Sequence, residues 1–128
     1  MLNTAKNRVR LDRLAIGLSA LCAVHCVATV LLLGALSSLG HFFAAPIIHE
    51  VGLALAILIG AVALGAGLRR HRALFPLVTG GIGLAVMGSA LLVPHGVSES
   101  VLTVLGVSLV AIAHMLNIRA DSQTGCAC

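Results

Sequence analysis

The chain has 128 residues, of which 59% are hydrophobic and 9% charged, with a formal net charge of +4 and a mean hydropathy of +1.12. A water-soluble domain of this size carries about a quarter charged residues, so the composition excludes one. The basic residues fall in short separate patches, a pattern that orients membrane helices and does not suit nucleic-acid binding.

Crossing a bilayer as a helix takes about 20 apolar residues, and the sequence divides into four such stretches. The first is predicted over about 14–36, behind Lys6, Arg8, Arg10 and Arg13. Its apolar run is too long for the core of a cleavable signal, and no small-residue cleavage site follows, so it is read as a retained span. The second is predicted over about 47–68, after Ser37-Ser38-Leu39-Gly40 and Pro46. The third covers about 74–93, beyond Arg69-Arg70-His71-Arg72. The fourth covers about 98–118, beyond the turn Pro94-His95-Gly96. The expected architecture is an all-α integral membrane four-helix bundle, a single transmembrane domain over 1–128. Arg119 to Gly125 reads as a short mobile polar tail.

Lys and Arg alternate completely along the chain. They occur in the N-terminal segment, in the second loop and at Arg119, and are missing from the first and third loops. Both termini are therefore expected in the cytoplasm. His41, His49, Glu50, His95 and Glu99 then fall outside, and Cys126 and Cys128 inside. Phe42 and Phe43 are the candidate interface aromatics in a chain without Trp or Tyr. Ala15, Ser19 and Ala23 on the first span, and Gly81, Ala85 and Ser89 on the third, recur every fourth residue. Such rows of small residues permit close helix approach in lipid, though Gly and Ala are also common in membrane helices generally.

The chemistry lies in Cys22-Ala23-Val24-His25-Cys26, in the middle of the first span. Ionisable groups at membrane depth are costly and mark ion or substrate paths. Cys22 and Cys26, four residues apart, share a helix face with Cβ atoms about 5–6 Å apart, and His25 joins that face. Two thiols at this spacing suit a soft ion that accepts two ligands, such as Hg(II) or Cu(I). Zn(II) prefers four ligands and would need His25 together with a donor from another helix: His49, His95 or His114. Cys126-Ala127-Cys128 is a second thiol pair, read as an inner acceptor, with a redox-active pair or one inert in a reducing cytosol as the alternatives. His49, beside Glu50, is the candidate collector at the outer mouth. His71 reads as part of the solvated inner loop, and His114 as either a snorkelling interface residue or a donor facing the bundle. With four acidic residues in all and no nucleophilic triad or phosphate loop, the chain is not expected to be an enzyme or to hold a permanent cofactor. A membrane thiol oxidoreductase would need a cysteine pair near the outer surface, where none is predicted.

At Leu11-Asp12-Arg13 followed by Ser19-Ala-Leu-Cys22-Ala-Val-His25-Cys26, the chain resembles the MerC family of small inner-membrane mercury-resistance proteins. The likeness extends over most of the chain: length, four spans, a thiol pair in the first span and another near the C-terminus. It implies a multi-pass protein of the bacterial inner membrane that carries mercuric ion inward for reduction. Cys22 and Cys26 would match the family's first-span thiols, and Cys126 and Cys128 its tail thiols. The implied partners are a heavy-metal ion, the lipid bilayer and a cytoplasmic thiol acceptor such as a mercuric reductase. A homo-oligomer is a further expectation, because so small a bundle encloses little. The chain departs from the family pattern where Val27, Ala28, Thr29 and Val30 follow the thiols in place of a nearby Pro. It also has Cys-x-x-His-Cys where the best-known carriers have Cys-x-x-Cys, and a different thiol spacing in the tail. The added imidazole suits a borderline ion such as zinc, so a zinc- or copper-binding accessory or sensor protein is the alternative.

Overall fold

The computed structural model describes residues 2–35 and 45–125. The described residues form four α-helices: α1 (Leu2–Ala35), α2 (Pro46–His71), α3 (Phe75–Ala90) and α4 (Val97–Gly125). Three of them, α1, α2 and α4, contain stretches long and apolar enough to cross a membrane (Lys6–Leu32, Pro46–His71 and Val97–Gln123). The protein is a helical membrane protein. His41, Phe42, Phe43, Cys126 and Cys128 lie outside the described residues.

Helix boundaries differ from the apolar runs because a helix does not stop where its hydrophobicity does. The first helix begins at Leu2 and carries the basic segment as part of its length. At 34 residues it measures about 50 Å, well beyond the ~30 Å hydrocarbon core. The last helix runs through Arg119 to Gly125, which corrects the reading of that segment as a mobile tail. An ion pair at 2.6 Å between Arg70 and Asp121 fastens it to the end of α2. By contrast α3 is shorter than predicted, at 16 residues, or about 24 Å. Leu91 to Val93 continue it only as turns.

The punctuation has local causes. Pro46 and Pro76 stand in the first turns of α2 and α3, where a missing N–H costs nothing. Arg72 closes α2 in the left-handed region (φ 52°), and its N–H bonds to the Leu68 carbonyl at 3.0 Å. Gly96, at φ 147°, makes the turn into α4 that an L side chain resists.

α4 is the hub, touching all three other helices and packing most extensively on α3. The approach is closest at Gly83 and Gly106. A Cβ on Gly83 would lie 2.8 Å from the Gly106 carbonyl oxygen, and a Cβ on Gly106 would lie 2.8 Å from the Gly83 oxygen. The predicted small-residue row of α1 does face inward: Ala15 and Ser19 are buried, and Ala23 packs on the core. The predicted row of α3 does not. Gly81 and Ala85 are exposed, and Gly80, Gly83, Met87 and Ala90 form the buried face instead.

The bundle is inverted in polarity relative to a soluble one. Leu21, Val24, Leu31, Leu58, Phe75 and Leu92 all point outward, each more than half exposed. Asp12, Ser19, Thr29, Glu99, Thr103, His114 and Asn117 are buried. Lipid tails solvate apolar side chains but not polar ones, so the polar groups gather where other helices can satisfy them. On α1 the inward face is Asp12, Ala15, Ser19, Cys22, Cys26 and Thr29, at alternating spacings of three and four, the period of a helix–helix seam. That seam meets Glu99, Thr103, Val107, Val110, His114 and Asn117 of α4.

Candidate metal centre

At one end of the α1–α4 seam, three potential ligands from two helices converge. The ligand atoms of His25, Cys26 and His49 all lie within 4.8 Å of one another. Cys26 and His25 are consecutive on α1, and the one-residue step leaves both on the side facing α2. His49 comes from the first turn of α2, set there by Pro46. Cys26 Sγ and His49 Nε2 are 3.5 Å apart, a sulfur–imidazole hydrogen bond. The rings of His25 and His49 meet edge to face, with centroids 5.6 Å apart. Cys26 is buried, at 1% exposure, and His25 and His49 are half-buried.

Two ligands bound to one ion at ~2.0–2.3 Å in a tetrahedron stand roughly 3.3–3.8 Å apart. The three donors are therefore within small side-chain rotations of binding one ion, with a fourth tetrahedral position left open. One thiol and two imidazoles form a soft-to-borderline donor set, suited to zinc, copper or mercury rather than to calcium or magnesium.

Glu99 of α4 stands behind the cluster. Its carboxylate receives His95 Nδ1 at 2.9 Å on one oxygen and lies 3.5 Å from His49 Nδ1 on the other. The 3.5 Å contact is electrostatic and not a formed hydrogen bond, since the same two atoms lack a hydrogen-bond partner among the described residues. A carboxylate at Nδ1 favours the tautomer with the proton on that nitrogen. Nε2 is left with its lone pair toward Cys26, as in carboxylate–histidine–metal arrangements. Glu99 itself is 5% exposed.

Cys22 lies one turn further along α1, outside the group of three. It lines the same cavity, about 320 Å³ in volume, together with His25, Cys26, His49, Gly52 and Met87. Gly52 of α2 packs beside this sulfur; a Cβ there would sit in ordinary contact, 3.7 Å from Cys22 Sγ.

Sequence reasoning singled out Cys22, His25, Cys26 and His49, and the fold brings all four to one cavity. The predicted tail thiols Cys126 and Cys128 lie outside the described residues. Glu99 was assigned no role; its sequence signal is the spacing His95–Glu99, a helical i,i+4 pair. His95 reaches Glu99 and not the cluster itself.

A second polar cluster lies nearer the other end of the bundle. His114 Nδ1 bonds to Asp12 Oδ1 at 2.6 Å, and both side chains are essentially inaccessible (0% and 1%). Asn117 Nδ2 donates to both Asp12 oxygens at 3.2 and 3.1 Å. His71 was expected in a solvated loop, but its ring is half-buried and faces Asn117 Oδ1 at 3.0 Å. The Ala73 N–H donates to His71 Nδ1 at 3.1 Å. That bond fixes the His71 proton on Nε2, from which it donates to Asn117. His114, left between two readings by the sequence, faces the bundle.

No match was found among the curated proteins or the solved structures compared with the chain. The family model for the MerC mercury resistance protein matches residues 12–119, from the buried Asp12 of α1 to the last turns of α4. Over nearly its whole length, and with the thiols of the first helix inside the match, the chain belongs to the MerC mercury-resistance family.

Proposed function

We propose that this protein takes a mercuric ion from the outer side of a bacterial inner membrane and passes it to the cytoplasm by ligand exchange. The observation that carries this reading is the convergence of His25, Cys26 and His49 at one end of a polar seam, inside a bundle whose exterior is apolar. The arginine alternation along the sequence orients that end outward, with both termini inside. His49 and His25 collect the ion and Cys26 binds it as thiolate, releasing a proton. Cys22, one turn deeper, is the next thiol. Cys126 and Cys128 then offer the ion to a cytoplasmic thiol acceptor such as a mercuric reductase. Each transfer forms a new bond to sulfur as an old one breaks, so no desolvated ion crosses hydrocarbon.

The test is metal uptake in cells that lack a cytoplasmic reductase. Cells expressing the protein should accumulate mercury and become hypersensitive to it. Cys26→Ser should abolish both effects, and His49→Ala should weaken them. Uptake unchanged in Cys26→Ser would refute the reading.

The two imidazoles beside one thiol support a second reading, a zinc- or copper-binding accessory protein. Competitive binding of Hg(II), Zn(II) and Cu(I) to the purified protein, combined with the uptake assay, separates the two. An accessory protein binds zinc or copper and leaves uptake unchanged.

A further inference from the structure

His114 is the most deeply buried titratable group among the described residues, at 0% exposure, and the capture reading gives it no task. Its Nδ1 is committed to Asp12 at 2.6 Å. Its Nε2 is buried and has no hydrogen-bond partner among the described residues. Leaving a ring nitrogen unpaired in a bundle core carries a desolvation cost, which invites a reason. The reason is close by. His114 lines a small cavity, about 10 Å³ in volume, together with Ser19, Cys22 and Met87. That is about the room needed for one water or one ion. Cys22, Met87 and Leu18 also line the larger cavity that holds His25, Cys26 and His49. The two cavities thus share a wall, and the thiol of Cys22 belongs to both.

We propose that Cys22 and His114 Nε2 form a second metal station, inward of the first, with Met87 as an auxiliary soft donor. Asp12 acts as a positioning residue. Its carboxylate holds the Nδ1–H, which fixes the tautomer and aims the Nε2 lone pair into the cavity, the usual outer partner of a metal-binding imidazole. Asn117 and His71 in turn hold Asp12 in place. The transfer balances without an outside reagent. The Cys22 sulfur bonds to the ion, the bond from Cys26 sulfur to the ion breaks, and the Cys22 thiol proton passes to the departing Cys26 sulfur. The dative bonds from His25 and His49 are replaced by one from His114 Nε2. No electron is transferred.

The station rests on the capture reading, and one experiment separates the two. Full-length protein with Cys126→Ser and Cys128→Ser, ¹⁵N-labelled at histidine, is titrated with Hg(II) alone and followed by NMR. His114 is identified by its strongly hydrogen-bonded Nδ1–H. Two ions should bind per chain. The first should displace the His25 and His49 resonances, and the second should remove His114 Nε2 from its free-imidazole position. In Cys22→Ser, binding should fall to one ion per chain, with His114 unmoved. A His114 resonance unmoved at saturation in the protein that retains Cys22 overturns the second station. Unmoved His25 and His49 resonances overturn the capture site, whatever His114 does. The key measurement uses the natural His114 side chain, so it does not depend on a His114 variant folding.

Discussion

Glu99→Gln isolates the electrostatic support of the outer site, because it keeps the size of the side chain and removes only its charge. Glu99 stands 3.5 Å from His49 Nδ1. An ion on the far nitrogen of that ring, at a metal–nitrogen bond of ~2 Å, would lie about 7 Å from the carboxylate. A divalent ion neutralised by one thiolate carries a net single charge. Its attraction to the carboxylate at that distance is about 2 kcal/mol at an effective dielectric constant of ~20. At ~1.4 kcal/mol per decade this is a loss of roughly 30-fold, within the 10–100-fold typical of outer partners of metal-bound histidines. The assay is Zn(II) affinity by competition with a chromophoric chelator in detergent micelles, with His49→Ala as the reference. Affinity in Glu99→Gln within twofold of the parent, while His49→Ala loses binding, would refute the argument that the carboxylate organises the site.

Three further predictions concern the scaffold. Gly67→Ala should be destabilising, by about 1–3 kcal/mol, because its Cβ would collide with the Asn117 side chain that holds Asp12. Gly65→Ala, with nothing within 4 Å of the new Cβ, should be neutral or stabilising by up to ~1 kcal/mol. Thermal unfolding in detergent compares the two, and equal effects would refute the close-approach argument. Gly83→Ala should cost about 1–3 kcal/mol by forcing α3 from α4, given the 2.8 Å approach to the Gly106 oxygen; a parental melting temperature would refute it. Arg70→Ala should cost less than ~1 kcal/mol, because the guanidinium is about one-third exposed and its pairing with Asp121 is screened. A larger loss in the same unfolding assay would mean that this pair anchors the end of α4.

Much of the protein could be read from the chain alone. The number of helices, and the span-length apolar stretches of α1, α2 and α4, follow from the length and spacing of apolar runs, a property of consecutive residues. The face shared by Cys22, His25 and Cys26 follows from helical geometry, since residues three and four apart stand together on any helix. The helix ends were less legible. The polar residues of Arg119 to Gly125 continue α4, and Asp121 there meets Arg70 of α2, a contact across 51 positions that no local pattern announces.

What sequence reading could not supply was which helices meet, and so which polar groups face each other. Asp12 sits among arginines and was assigned no role from the sequence, yet it is buried against His114 and Asn117, more than 100 positions away. His49 could be named from the sequence as an outer collector or as one of three possible partners of His25; the packing of α2 on α1 singled it out by placing it 3.5 Å from Cys26. Glu99 gained a role when α4 brought it behind His49. Periodicity tells which face of a helix is unlike the rest, but in lipid a polar face can be satisfied by any partner helix that presents complementary groups. The pairing is settled by where backbones can approach closely, as at Gly83 and Gly106, and that is a property of the assembled bundle.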